Sequence, residues 1–199
     1  MAHRTLARRA EHEDVIKGSR FLAIVAPLDD ERDADALLAE ARARHPDASH
    51  HAFAMRWGQS VRSSDDGEPG GTAGLPMLEV VLKGELDRVA AVVVRTFGGT
   101  KLGAGGLARA YGGAVARAVR LAGTREVPDL VTFEVRLPFA VVDAVLREAQ
   151  DDPSVRDAGV DYASGEARVV LTLLEASADA WRSVLADLSR GAAEVLDDG

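Results

Sequence analysis

The stretch AAVVVRTFGGTKLGAGGLARAYGGAVARAVRLA, residues 90–122, decides the fold of the first part of this chain. Residues 90–94 form a short, fully apolar run, which is typical of a strand buried inside a sheet. A glycine-rich loop follows at residues 98–106, and apolar residues then recur at helical spacing as far as Ala122. The stretch therefore predicts a buried strand, a glycine-rich loop and a helix that packs on the sheet.

The glycine-rich loop has a geometry that collects anions, because a helix N-terminus presents unpaired backbone N–H groups beside it. Its spacing matches neither the Walker phosphate-binding loop nor the dinucleotide-binding fingerprint. Glycines that serve only a tight turn explain the loop equally well, so both interpretations stay open. The candidate anion- or nucleic-acid-binding residues are Arg95, Gly98, Gly99, Thr100, Lys101, Gly105, Gly106, Arg109, Arg117 and Arg120. Arg95 closes the buried strand and is also a candidate partner for Asp65, Asp66 or Glu68.

The helix after this loop is predicted to have one apolar face and one basic, flat face. Successive residues turn by about 100°, which places the side chains predicted to face the sheet in one arc: Leu107, Tyr111, Ala114, Ala118, Leu121 and Ala122. Arg109, Arg117 and Arg120 lie on the opposite side, with Gly112 and Gly113 between them. Each helical glycine costs roughly 1 kcal/mol relative to alanine. The pair therefore indicates close approach of a nucleic-acid backbone or close packing on another element.

Working outward, the pattern predicts an α+β protein of two domains. A strand at residues 15–26 ends at Pro27, a helix follows up to Pro46, and residues 50–57 alternate as in a half-buried strand. Residues 58–74 resemble a long loop, and residues 75–86 a helix. The pattern resets near residues 123–128, and the remainder has the order β-α-β-β-α-β of ferredoxin-like folds. The predicted domains are residues 1–125 and 126–199.

The loop at residues 58–74 carries three carboxylates within four residues, Asp65, Asp66 and Glu68. Such a cluster can bind a hard cation or act in general acid–base catalysis, so these residues are the candidate catalytic groups. The spacing is not that of a calcium loop, and aspartates often cap turns, so a structural role is favoured. His50 and His51 are adjacent and point to opposite faces of a strand. No metal site and no cofactor are expected.

Charge and composition narrow the classes of function. The chain has 199 residues, a formal net charge of −8 and no cysteine, which excludes disulfide scaffolds and thiol nucleophiles. Residues 1–128 carry a net charge of +1 and residues 129–199 a net charge of −9. No apolar run approaches the ~18 residues that span a bilayer, and no signal-peptide pattern is present. We therefore expect a cytoplasmic protein without a membrane partner, whose basic patch suits one specific anionic partner.

Four ordered motifs within residues 15–122 resemble the IMPACT/YigZ family. They are KGSRF at residues 17–21, HHAF at 50–53, DDGEPGGTAG at 65–74 and VRTFGGTKLGAGGLARAY at 94–111. Thr96 stands where the family usually has an aromatic residue. The resemblance implies a bacterial two-domain member that lacks the RWD domain of the eukaryotic translational regulators. It also implies an N-terminal domain like the second domain of a small-subunit ribosomal protein and a C-terminal domain like the last domain of elongation factor G.

The leading hypothesis is a non-enzymatic, translation-associated regulator that binds RNA or the ribosome through its basic glycine-rich loop and helix. One alternative is a phosphate-ester or nucleotide-handling hydrolase that uses Asp65, Asp66 or Glu68. Another is an adaptor that binds a protein partner through the acidic C-terminal domain.

Overall fold

The computed structural model describes residues 2–163 and 166–196, which form two compact units. One unit is His3–Val127, and the other contains the described residues from Pro128 onward together with Ala2. The N-terminal unit begins at His3 and ends at Val127, two residues beyond the expected limit. Strand β1 (His3–Leu6) pairs antiparallel with β7 (Thr124–Val127), and this pairing holds residues 126 and 127 in the first unit. The division into domains at residues 1–125 and 126–199 stays a prediction.

The N-terminal unit is built on a five-stranded antiparallel sheet of order β2-β3-β6-β4-β5. Its strands are β2 (Ala10–Ile16), β3 (Ser19–Pro27), β4 (His50–Trp57), β5 (Ser60–Ser64) and β6 (Val89–Thr96). The apolar run at residues 90–94 lies in the middle of the sheet, as its composition predicted, because β6 pairs with β3 on one side and β4 on the other.

Helices cover both faces of this sheet. Helix α1 (Asp33–Arg44) packs on one face, and α2 (Gly74–Lys83) and α3 (Ala104–Ala122) pack on the other. In β4, Ala52 and Ala54 face the α2–α3 layer, whereas Phe53 and Met55 face α1. The expectation of a half-buried strand at residues 50–57 is therefore wrong, because a helix lies on each side of it.

Two further elements differ from the sequence expectation. Residues 15–26 were expected to form one strand, but the chain reverses at Lys17 and Gly18, whose φ angles are 48° and 83°. Positive φ at both central residues suits a tight hairpin turn, which joins β2 to β3. Residues 58–74 were expected to be loop throughout, yet β5 lies within them and pairs with β4. The loop proper is therefore residues 65–73.

The C-terminal unit has the predicted order β-α-β-β-α-β. Its elements are β8 (Leu130–Leu137), α4 (Phe139–Asp151), β9 (Val155–Ala163), β10 (Glu166–Leu174), α5 (Ala178–Ser189) and β11 (Glu194–Leu196). The strands pair antiparallel in the order β11-β8-β10-β9, and Phe133, Leu171 and, from α5, Trp181 lie in the buried core of this unit. The α+β class is confirmed, and the likeness to the ribosomal and elongation-factor domains stays a prediction. Among the described residues, we find no helix with the length and apolarity that a membrane span requires.

Candidate functional site

Asp65 organises the start of helix α2. One carboxylate oxygen, Oδ2, accepts the Gly71 backbone N–H at 2.7 Å, and Oδ1 accepts those of Ala73 and Gly74 at 2.9 and 2.8 Å. Burial by itself would raise the pKa of Asp65, but these three N–H donors hold it below its usual value. The carboxylate therefore acts as an internal acceptor that folds the loop onto the helix.

Replacement of Asp65 by asparagine is expected to lower the free energy of unfolding by about 1–3 kcal/mol at neutral pH. The amide NH₂ of asparagine cannot accept a hydrogen bond, so at least one of the three backbone N–H groups would lose its acceptor. The lowered pKa means that the carboxylate stabilises the fold above its unfolded pKa. This contribution is lost as the pH falls through the folded pKa, which lies below the usual value for an aspartate. Urea denaturation at neutral and acidic pH should show the gap between wild type and Asp65→Asn closing in acid. Asp47→Asn, at an exposed position, is the control, and a gap independent of pH would contradict this account.

Asp66 ties the same loop to β4 and α1. Its Oδ2 accepts the His51 backbone N–H at 2.6 Å, and its Oδ1 accepts from Arg42 at 2.9 Å. The ring Nδ1 of His50 donates to the Asp66 carbonyl oxygen at 2.8 Å. Both the side chain and the backbone of Asp66 are therefore used to hold the loop.

Glu68 lies in a buried ion-pair cluster with Arg95 and Tyr111, called here the Glu68 cluster. Glu68 is 8% exposed and Arg95 5% exposed. Glu68 Oε1 accepts from Arg95 Nη1 at 2.5 Å and from the Tyr111 hydroxyl at 2.7 Å, and His50 Nε2 lies 3.8 Å away. Burial raises the pKa of Tyr111 strongly, and the bond to Glu68 adds to the rise, so the phenol stays a neutral donor.

The acidic loop is therefore engaged in structural contacts. Of the partners that the sequence offered to Arg95, the structure selects Glu68. In the described part of the chain, no group of three or more acidic or histidine side chains is arranged to hold a metal ion. This arrangement does not favour the hydrolase hypothesis, since each candidate catalytic carboxylate has internal hydrogen-bond partners.

The glycine-rich loop is fixed at its start by the β2–β3 hairpin. The backbone N–H groups of Phe97 and Gly98 donate to Ser49 Oγ and Ser19 Oγ, both at 3.1 Å. A Cβ atom on Gly98 would lie 1.9 Å from the Gly18 carbonyl carbon, so only glycine fits there. Gly98 therefore has a packing role, whereas Gly99 and the exposed residues after it remain open to solvent.

Helix α3 starts at this loop without a side-chain cap. Its N-cap residue is Gly103, which has no side chain to accept a capping hydrogen bond, and no acidic residue lies in the first turn. Further along, a Cβ on Gly112 would lie 3.3 Å from the Pro76 carbonyl oxygen of α2. Of the two interpretations of this glycine, the structure supports close packing between helices. Leu121, expected to face the sheet, is 50% exposed in the last turn.

The predicted basic residues do not form one surface. Arg95 is buried, and Arg117 pairs with Asp14 at 2.6 Å. Arg120 is exposed, but it lies 11 residues after Arg109, which is about 16 Å along the helix axis. Lys101 and Arg109 remain exposed near the glycine-rich loop.

A cleft of about 280 Å³ lies beside the start of α3. It is lined by Arg109 and by a further cation, Lys17. Its lining residues are Ile16, Lys17, Leu102, Gly106, Arg109 and Ala110. Arg109 Nη1 lies 3.5 Å from the position of a Cβ on Gly105, so its guanidinium covers the first helical turn. Lys17 was not among the predicted site residues, because the hairpin turn that presents it was expected to be part of a strand. Lys17, Lys101 and Arg109 are called here the basic patch.

Among the residues that the structure describes, the three cations of the basic patch have no acidic partners, unlike many other cations of the N-terminal unit. Arg9, Arg20, Arg44 and Arg62, among others, form ion pairs with carboxylates. Across the described ranges, no carboxylate lies within 4.0 Å of the charged nitrogens of the patch. The patch is thus a local excess of positive charge on an acidic protein.

Fold and site together define a two-unit α+β protein with a buried ion-pair cluster and an exposed, uncompensated basic patch. Residues 17–119 match the family model described as the Impact N-terminal domain. The Escherichia coli IMPACT family member YigZ is 38% identical over 191 residues, covering 91% of this chain and 90% of its own length. The chain belongs to the IMPACT family.

Two other similarities extend the comparison. An IMPACT family member of Thermus thermophilus is 49% identical over 131 residues, which cover 66% of this chain and 72% of the relative. A crystal structure of a hypothetical protein superposes with a TM-score of 0.75 at 32% identity, covering 100% of this chain and 98% of that one. Family membership supports, in general terms, a role related to the regulation of translation.

Proposed function

We propose that this protein is a translation-associated regulator that binds RNA phosphates through the basic patch. The observation that carries the proposal is the gathering of Lys17 and Arg109 around one cleft, with Lys101 in the adjoining loop, all without acidic partners. Cations that are not neutralised internally are available to an external anion. The uncapped backbone N–H groups at the start of α3 add donors at the same place.

The charge distribution of the chain limits where RNA is expected to bind. The region after residue 128 has a net charge of −9, which repels polyanions, whereas the region before it has a net charge of +1. Many arginines of the N-terminal unit are already paired with carboxylates. Affinity for RNA should therefore come from few residues, and it should be modest and steeply dependent on salt.

Alanine replacement of Lys101 or Arg109 is expected to weaken RNA binding about equally for unrelated sequences, because contacts to phosphates carry no sequence information. Each loss should reduce the slope of log affinity against log salt by about 0.7–0.9. Fluorescence anisotropy with labelled RNA at several salt concentrations measures both effects. Arg62→Ala is the matched control, since Arg62 is exposed but paired with Asp35 at 2.6 Å.

The same experiment separates the alternatives. Equal affinity and equal salt slope in wild type, Lys101→Ala and Arg109→Ala would contradict the proposal and favour the protein-adaptor hypothesis. Co-sedimentation with ribosomes, repeated with the same variants, distinguishes ribosomal RNA from free RNA as the source of the phosphates.

A further inference from the structure

We propose that Phe97 is a stacking platform for an unpaired base, so that the RNA bound at the basic patch is single-stranded. This inference rests on the proposed function. It assigns a role to an exposed aromatic side chain that does not take part in the proposed phosphate contacts. It also specifies that the site binds single-stranded RNA.

The backbone of Phe97 is held in place. The residue follows the end of β6, and its N–H donates to Ser49 Oγ at 3.1 Å. The next residue, Gly98, is locked against the β2–β3 turn by the close approach of its backbone to Gly18. Phe97 is 48% exposed, and the backbone that carries its ring is held on both sides by these contacts.

The guanidinium of Arg95 lies over one face of the Phe97 ring. The guanidinium carbon of Arg95 lies 5.5 Å from the centroid of the Phe97 ring and 5.4 Å from that of the buried Phe21. Arg95 is itself fixed by Glu68 at 2.5 Å. The attraction between the Arg95 guanidinium and the aromatic ring stabilises this position of the Phe97 side chain. The Glu68 cluster, which fixes Arg95, thereby holds Phe97 in place while part of the ring stays exposed to solvent.

An exposed, fixed aromatic ring next to cations is the arrangement that single-stranded nucleic acids require. A base stacks on the ring while neighbouring phosphates meet the basic residues, here Lys101 in the loop that follows. Bases of a duplex are already stacked inside the helix and present only their edges. Phe97 therefore favours a single strand over a duplex of the same sequence.

The test compares binding of a labelled single strand and of its duplex to wild type, Phe97→Ala and Phe97→Trp. Phe97→Ala should weaken binding of the single strand roughly 5- to 150-fold, which corresponds to the 1–3 kcal/mol of one stacked base. Its salt slope should not change, and its affinity for the duplex should equal that of wild type. Phe97→Trp should bind the single strand as tightly as wild type does, because it keeps an aromatic ring at this position. The fluorescence of the introduced indole should be quenched on binding. Leu121→Ala, which removes a similarly exposed apolar side chain from α3, is the control.

The outcomes distinguish this inference from the proposed function. If Phe97→Ala binds the single strand as wild type does while Lys101→Ala is weakened, phosphate binding stands and the stacking platform is overturned. An equal loss of single strand and duplex in Phe97→Ala also overturns it, since that result indicates a general disturbance of the loop. A wild-type protein that binds neither RNA overturns both proposals.

Discussion

Glu68→Gln is expected to destabilise the N-terminal unit by about 3–5 kcal/mol, since it leaves the buried Arg95 charge without a carboxylate. The substitution preserves shape and volume, so the loss reports the charge and not a cavity. Arg95 and Glu68 are almost fully buried, and Tyr111 donates to the same carboxylate oxygen. Urea denaturation followed by circular dichroism measures the change, and amide hydrogen exchange of β6 locates it.

An exposed pair provides the matched control for this prediction. Lys83 and Glu79 form an i,i+4 ion pair at 2.8 Å on the surface of α2. Glu79→Gln should cost about 0.5 kcal/mol or less, because solvent screens exposed pairs. Adding Arg95→Met to Glu68→Gln should recover much of the lost stability, since no buried charge is then left without a partner and the new amide oxygen still accepts from Tyr111. A Glu68→Gln protein as stable as Glu79→Gln would show that the cluster is not held by its charge.

Gly98→Ala is expected to cost about 3 kcal/mol or more, above the usual range for an overpacked site, because the obstacle is backbone. The new Cβ would lie 1.9 Å from the Gly18 carbonyl carbon and 2.3 Å from the Ser19 nitrogen. The glycine-rich loop and the hairpin turn must then separate, which moves Lys17 away from the loop. Thermal or urea denaturation measures the loss of stability.

Gly70→Ala is the control for this prediction, because nothing lies within 4 Å of a Cβ at that position. Its stability should stay within about 0.5 kcal/mol of wild type. Equal stability of Gly98→Ala and Gly70→Ala would contradict the close contact between the loop and the hairpin.

The sequence by itself determined the features that depend on local pattern. The run at residues 90–94 predicted β6 because only a strand covered on both faces is apolar at every position. The spacing of Leu107, Tyr111, Ala114 and Ala118 predicted α3 and its buried face, and the order of elements in the C-terminal unit was also correct. The ordered motifs of residues 15–122 sufficed to identify the family.

Only the tertiary structure decided which residues of the site act together. Glu68 and Arg95 are 27 residues apart, and Arg117 and Asp14 are 103 apart, so no local periodicity specifies either pair. The structure buries Arg95 and pairs Arg117 with Asp14, and it adds Lys17 through a hairpin turn that the sequence pattern did not predict. Side-chain type indicates which charges are present, but the packing of distant strands and helices decides which are neutralised and which remain available to a ligand.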